Sequence, residues 1–380
     1  MEEVAAKRLI ARKTALVASQ LARRRGTREL LVNVDGKPAR AINYDFLTGP
    51  AFPGDRVLLN TLANALKLGT GGYHFVCYNY SRPPLSPPKK GHLMKLRYTP
   101  WQFNILSGEE EGAGNRAKIE KFRGLQGMPV LVGELHSMLA PAAAVIHYYY
   151  PGSRLVYLMT DGAALPLAFS RTVEELCQKD IITATVTCGH AFGGDYEAVN
   201  LYSALVLCQT VIRADLVIIT MGPGNVGTGT RFGFSGMELG ENINRVGVLG
   251  GRPVIIPRMS FADLRPRHRG ISHHTLTALA FGSYCRAWLP LPRLSPSRLA
   301  LIGRQLAGFR LLERHRVKVG SCLRVDRIMR RLNLSPPETM GRGYREDPCF
   351  FEAAGVAGRL GLQLHLGTTG KSPRWEEIKL

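Results

Sequence analysis

The chain has 380 residues, 45% hydrophobic and 21% charged, with a formal net charge of +21. This composition fits a globular protein with a substantial core and excludes a disordered or fibrous one. No apolar run reaches the roughly 18 residues of a membrane span, and no secretory signal pattern opens the chain, so cytoplasmic residence is the expectation.

Seven cysteines are widely spaced with no C-x-x-C pair, which argues against a disulfide framework or a cysteine zinc site. The basic excess is uneven. From 258 to 345 there are 18 Lys or Arg against four Asp or Glu, a surplus of 14. All but one of the 18 are Arg, scattered among Leu and Pro rather than blocked. The stretch reads as a solvated basic face or an anionic-ligand site, with nucleic acid as the other partner class.

Residues 1–82 show short alternating apolar runs broken by turn signals. Asp35-Gly36 is a strong hairpin signal between RELLVNV and ARAINY, and Pro53-Gly54-Asp55 and Gly69 to Gly72 mark further turns. Five or so short strands without a long helix predict a small β-barrel. Residues 83–126 read as a Pro-rich connector. From 127 to about 360 the pattern alternates strand and helix. The strands PVLVG, RLVYLM, IITATV, DLVIIT and PVIIP are short, continuous and β-branched, as when helices cover both faces. The expected architecture is α/β, a doubly wound, mostly parallel, Rossmann-like sheet, with a tail over 361–380.

In such a sheet the strand carboxyl ends share one edge, and ligands bind there. Every strand run here ends in glycines and ionisable residues. The first ends at Glu134 and His136, the second at Asp161, and the third at His190 and Asp195, with Glu197 beyond. Asp161 and His190 are candidates for proton transfer. Glu134, His136 and Asp195 are candidates to orient a base or hold a metal. Asp195 also suits an N-cap of a following helix, and Asp347-Pro348 suits another.

The sharpest motif is MGPGNVGTGTRFGFSG from 221 to 236. Gly222, Gly224, Gly227 and Gly229 would let backbone N–H groups approach an anion, with Thr228, Thr230 and Ser235 adding hydroxyls and Arg231 a fixed charge. The following helix would offer its N-terminus. The literal G-x-G-x-x-G match lacks an early helix and a later acidic residue, and no Walker lysine is present. The segment after PVIIP adds Arg267, His268 and His273 as anion-binding candidates. Adjacent His273 and His274 are expected to point apart. A divalent metal has candidate ligands in His136, Asp161, His190, Asp195 and His273, without a recognised zinc spacing. No G-x-S-x-G elbow appears.

The stretches AINYDFLTGP, GMPVLVGELHSMLAP, MTDGAALPLAFSRTV, GHAFGGDYEAVN, MGPGNVGTGTRFGFSG and IPRMSFADLRPRHRGISHHT, with others between about 14 and 360, resemble an uncharacterised bacterial family catalogued as domain of unknown function 3866. The resemblance implies no transferable activity. The expected function is an enzyme acting on an anionic small molecule, a nucleotide or phosphorylated metabolite, by hydrolysis or group transfer rather than redox chemistry. The alternative is a non-catalytic small-molecule sensor or nucleic-acid-binding regulator, and homo-oligomerisation is compatible with either.

Overall fold

A computed structural model describes residues 10–69, 71–83, 86, 90–368 and 376–377. It divides into two compact units, Met1–Lys89 with Arg97–Phe103, and Lys90–Leu96 with Asn104–Leu380. Much of the stretch expected as a connector therefore belongs to the second unit. The start of the chain and most of the expected tail lie outside the described residues. Among the described residues no helix is long and apolar enough to cross a membrane.

The first unit holds a closed five-stranded barrel. Its strands are β1 (Arg12–Arg24), β2 (Thr27–Val34), β3 (Lys37–Tyr44), β4 (Arg56–Asn60) and β5 (Tyr73–Asn79), in the order β1-β2-β3-β5-β4. Strand β1 serves two partners because register shifts near Val17 and Gln20 bend it, so its start pairs with β4 and its remainder with β2. The β2–β3 turn needs positive φ at both central residues, and Asp35 (φ 50°) and Gly36 (φ 79°) supply it. Ala15, Val17, Leu30, Val32, Ala41, Val57, Leu59 and Val76 fill the interior.

The second unit is an α/β layer built on eight parallel strands. These are β6 (Pro129–Gly133), β7 (Leu155–Thr160), β8 (Ala184–Cys188), β9 (Tyr196–Ala198), β10 (Leu216–Met221), β11 (Arg252–Ile256), β12 (Trp288–Pro292) and β13 (Arg316–Gly320). Their order is β9-β8-β7-β10-β6-β11-β12-β13, and Glu376–Glu377 pairs antiparallel with β13. Strand residues alternate between two cores, as the period-two pleat requires. Val130 and Val132 face one core, and Leu131 faces the other. The first core is covered by α3 (Leu201–Leu207), α4 (Glu238–Val248), α5 (His273–Thr277) and α6 (Pro296–Gly308). The second is covered by α1 (Leu139–Tyr149), α2 (Arg171–Gln178), α7 (Val325–Arg331) and α8 (Pro348–His365).

This winding places a crevice. The chain leaves β6 and β7 toward α1 and α2 on one face, and leaves β10 and β11 toward α4 and α5 on the other. Strand β10 lies between β7 and β6, and β11 lies on the far side of β6. Connections from neighbouring strands therefore part in opposite directions, which opens a cleft beyond their carboxyl ends.

Two expected caps differ from the observed structure. Residues 196–198 form a strand where helix was expected, and α3 starts after Asn200, whose side chain and that of Ser203 make a capping box. Asp347 precedes α8 but makes no side-chain cap; its carboxylate accepts from Ser260 Oγ (2.7 Å) instead.

A buried lysine fastens the loop after β8. Lys95 is fully enclosed and donates to the carbonyls of Gly189 (2.7 Å) and Ala191 (2.9 Å), with Nζ 3.3 Å from Glu197 Oε2. Glu197 in turn accepts from the Gly193 N–H (2.6 Å). Lys95→Met would strand a buried carboxylate, and a loss of about 3–5 kcal/mol in urea unfolding is expected. Adding Glu197→Gln should recover a substantial part of that loss. Equal midpoints for the single and double variants would show that charge pairing is not what Lys95 contributes.

Candidate functional site

The crevice is organised around Glu134, one residue past β6. Its side chain is fully buried. Thr275 Oγ1 donates to Oε2 (3.1 Å), and Arg258 Nη1 lies 3.6 Å from Oε1. His274 Nδ1 is 3.9 Å from the same oxygen, which has no hydrogen-bond donor. Burial, only partly offset by Arg258, pushes the Glu134 carboxyl up to about 7. Gly236 packs closely here, since a Cβ at that position would lie 3.2 Å from Glu134 Cβ.

The segment after β11 folds back over this carboxylate. Arg258 Nη1 donates to His274 Nδ1 (3.1 Å) and Nη2 to Met340 Sδ (3.3 Å). The 340–343 turn is thereby docked onto the crevice, and Thr339 Oγ1 lies 3.0 Å from Ser137 Oγ after β6. His274 stacks face to face on Phe234 of the glycine-rich loop, centroids 3.9 Å apart. His273 and His274 do not diverge. Their rings are 4.3 Å apart, and His268 lies 5.0 and 5.1 Å from them. His268 Nδ1 bonds Ser272 Oγ (2.8 Å), the N-cap of α5. Burial first, then the charges of nearby arginines, lower all three imidazoles, His268 and His274 to about 3.

The glycine-rich loop meets this cluster at its base. A Cβ at Gly227 would lie 3.7 Å from His274 Cε1, and one at Gly229 would lie 3.5 Å from Arg267 Nη1. The loop is a self-bonded hairpin rather than an open cradle. Thr228 N–H donates to the Gly233 carbonyl (2.8 Å), Thr228 Oγ1 lies 2.9 Å from Thr230 Oγ1, and the Gly233 N–H donates to Thr230 Oγ1 (3.2 Å). Both threonine hydroxyls expected to bind an anion are thus used internally. Arg231 lies over the Phe281 ring (4.3 Å) rather than over the glycines. Gly222 packs against the Ala164 carbonyl, 2.3 Å from where its Cβ would be, and Gly224 has φ 103°. The helix expected to present its N-terminus to an anion, α4, carries Glu238 in its first turn.

Glu238 creates a second cluster at the end of β7. Thr160 Oγ1 donates to its Oε1 (2.6 Å), and a Cβ at Gly162 would lie 2.7 Å from its Oε2. Burial, followed by the charge of Asp161, raises its carboxyl to about 7 against the bond from Thr160. Asp161 is exposed and accepts from the His190 N–H (2.9 Å). A Cβ at Gly189 would overlap that carboxylate. His190 Nδ1 accepts from the Leu96 N–H (3.2 Å).

Two expected candidates are engaged by groups of the fold itself. His136 has both ring nitrogens engaged, Nδ1 with Tyr157 OH (3.1 Å) and Nε2 with Ser170 Oγ (2.7 Å), and burial lowers it to about 4. Asp195 joins β9 to β8, accepting from the Thr185 N–H (2.9 Å) and hydroxyl (2.8 Å). Sequence reasoning did not single out Arg258, Thr275, Phe234 and Glu238. Arg258 immediately follows the strand run PVIIP, and position at a strand end was the available signal.

Glu238→Gln tests the second cluster. A carboxyl raised to about 7 binds a proton in the folded state that the unfolded chain has released above about 4.5. Wild-type stability is therefore eroded as pH rises from about 4.5 to 7. The Gln variant should match wild type near pH 4.5 and exceed it by about 1–3 kcal/mol at pH 8. Parallel thermal melts across that range check the sign.

No curated protein and no solved structure matches the chain. The family described as Protein of unknown function (DUF3866) matches residues 40–358. With most of the chain covered, including every residue of the crevice described above, the chain belongs to the DUF3866 family.

Proposed function

We propose that this protein is an enzyme acting on an anionic small molecule, a nucleotide or phosphorylated metabolite, in the crevice at the carboxyl edge of the sheet. One observation carries the reading. The arginines around the crevice are matched to acids except at its mouth. Arg265 makes a two-point bond to Asp263 (2.9 and 2.8 Å), Arg342 lies 3.6 Å from Asp263 and 3.4 Å from Asp347, and Arg258 faces Glu134. Exposed Arg267 has no carboxylate partner among the described residues; its Nε lies 3.4 Å from His268 Nε2, and its Nη1 faces Gly229, which has no side chain. Such a fork suits a phosphate or carboxylate.

Glu238 and Asp161 supply the acid–base pair. They are neighbouring carboxyls whose environments differ, one buried and one exposed, which is how a site separates a proton donor from an acceptor. Reactions that need only positioning and proton transfer, hydrolysis or group transfer, fit this set.

The nucleic-acid alternative draws less support. Part of the arginine surplus is engaged by the protein's own carbonyls and aromatic rings, although Arg298 and Arg316 are exposed. Arg314 donates to the Ala280 carbonyl (2.6 Å) and to that of Ser283, while Arg298 and Arg316 lie over Phe261 (4.5 Å) and Trp288 (4.9 Å).

Titration calorimetry with inorganic phosphate, pyrophosphate and ADP tests the proposal on metal-free protein. At least one probe should bind. Arg267→Ala should weaken binding at least about tenfold, or about 1.4 kcal/mol, with little change in melting temperature. Absence of binding by all three, or equal affinity in the variant, rejects this assignment.

A further inference from the structure

The three imidazoles after β11 are not accounted for by anion binding. One nitrogen from each of His268, His273 and His274 lies within 4.8 Å of the other two. His268 and His274 are buried, and His273 Nε2 is enclosed with no hydrogen-bond partner. An enclosed ring nitrogen without a partner is costly unless something binds it.

We propose that His268, His273 and His274 bind one divalent transition-metal ion of the zinc class. The donor set selects the ion. Three imidazoles suit zinc, nickel, copper or iron, whereas magnesium and calcium require oxygen ligands. Zinc holds nitrogen ligands at about 2.0–2.1 Å, hence about 3.4 Å from one another, so the rings close by roughly 1 Å on loading. Ser272 Oγ at His268 Nδ1 and the Phe234 ring against His274 fix two of the three rings, as outer partners of metal ligands do. Three protein ligands leave a position for water or a substrate oxygen, the pattern of reactive rather than purely structural sites.

Two guanidiniums oppose the ion. Arg258 Nη1 lies 3.1 Å from His274 Nδ1, and Arg267 Nε lies 3.4 Å from His268 Nε2. Loading turns both away from the rings. Arg258 has a destination, because Glu134 Oε1 is 3.6 Å away and lacks a donor. Arg267 is exposed and turns toward the mouth of the crevice.

The site shares the crevice of the proposed function but does not rest on it. The test uses the untagged full chain, stripped with a chelator and titrated with Zn²⁺ by calorimetry, with bound metal counted by mass spectrometry after dialysis. One zinc per chain is expected, undisturbed by excess Mg²⁺, and Co²⁺ should give a ligand-field spectrum. His273→Ala and His273→Gln remove a ring whose Nε2 has no partner, so both should fold. Each should lower zinc affinity at least about tenfold and abolish the Co²⁺ spectrum. Equal zinc retention by wild type and a His268→Ala/His273→Ala/His274→Ala variant would place the metal at other side chains and overturn the proposal. Failure of wild type to bind zinc would also overturn it. Pyrophosphate binding by the metal-free protein reports on the anion reading alone, so the two readings fail separately.

Discussion

A carboxylate with no access to water sits where the sheet's connections part, and much of the crevice is arranged to accommodate it. Removing the Glu134 carboxyl from solvent costs several kcal/mol, and one cation at 3.6 Å does not fully repay that cost. The surrounding structure follows from this deficit. Thr275 is held by two bonds, donating to Glu134 and accepting from the Arg258 N–H (3.1 Å), so the start of α5 is fixed against the end of β6. Gly236 lets the chain pass close to Glu134, where an added Cβ would be tightly packed. Arg258 is then constrained on three sides, by Glu134, His274 and Met340, and the 340–343 turn is drawn in from a distant part of the sequence.

The same chemistry shows how so basic a chain engages its arginines, of which only Arg28 and Arg258 are buried among the described residues. A guanidinium has five donors in a rigid plane and tolerates desolvation better than an ammonium. In the 258–345 stretch arginines bond carboxylates, backbone carbonyls, a thioether and aromatic faces. Net charge alone therefore overstates what this surface offers to a polyanion. What matters for recognition is which guanidinium is left without an acid, and that is a property of the fold.

The architecture was legible because strands buried on both faces must be apolar throughout and short. PVLVG, LVYLMT and LVIITM could hardly form another element, and Asp35-Gly36 satisfies a turn that few other pairs can. The clustering of strand ends was legible for the same reason, since topology brings Asp161 to His190 and Gly222 to Ala164. The roles of individual side chains were not. Lys95 lies in a polar stretch that reads as connector, and only tertiary packing encloses it. Asp195 looks like a cap, but Thr185 offers it two donors across neighbouring strands, and Tyr196–Ala198 pairs as a strand. Glu238 looks like an ordinary first-turn acid until Gly162 closes over it. His273 and His274 occupy successive positions, which on a regular helix face apart by about 100°. They meet at the first turn of a short helix, where a third ring from His268 packs against both.

Burial draws the ionisable acids and imidazoles of the crevice toward their neutral forms, for opposite reasons in the two chemistries. Burial raises Glu134 and Glu238 to about 7 and lowers His268 and His274 to about 3. Desolvation disfavours whichever form carries charge, so acids keep protons and imidazoles lose them. A crevice lined by ionised carboxylates would repel an anion, and one lined by imidazolium would repel a cation. Weakening both sets lessens the repulsion that an anion at Arg267 would meet and leaves the interior rings with lone pairs. An anion held at the rim and a metal held by neutral nitrogens within are then electrostatically compatible, each lessening the charge that the other must face.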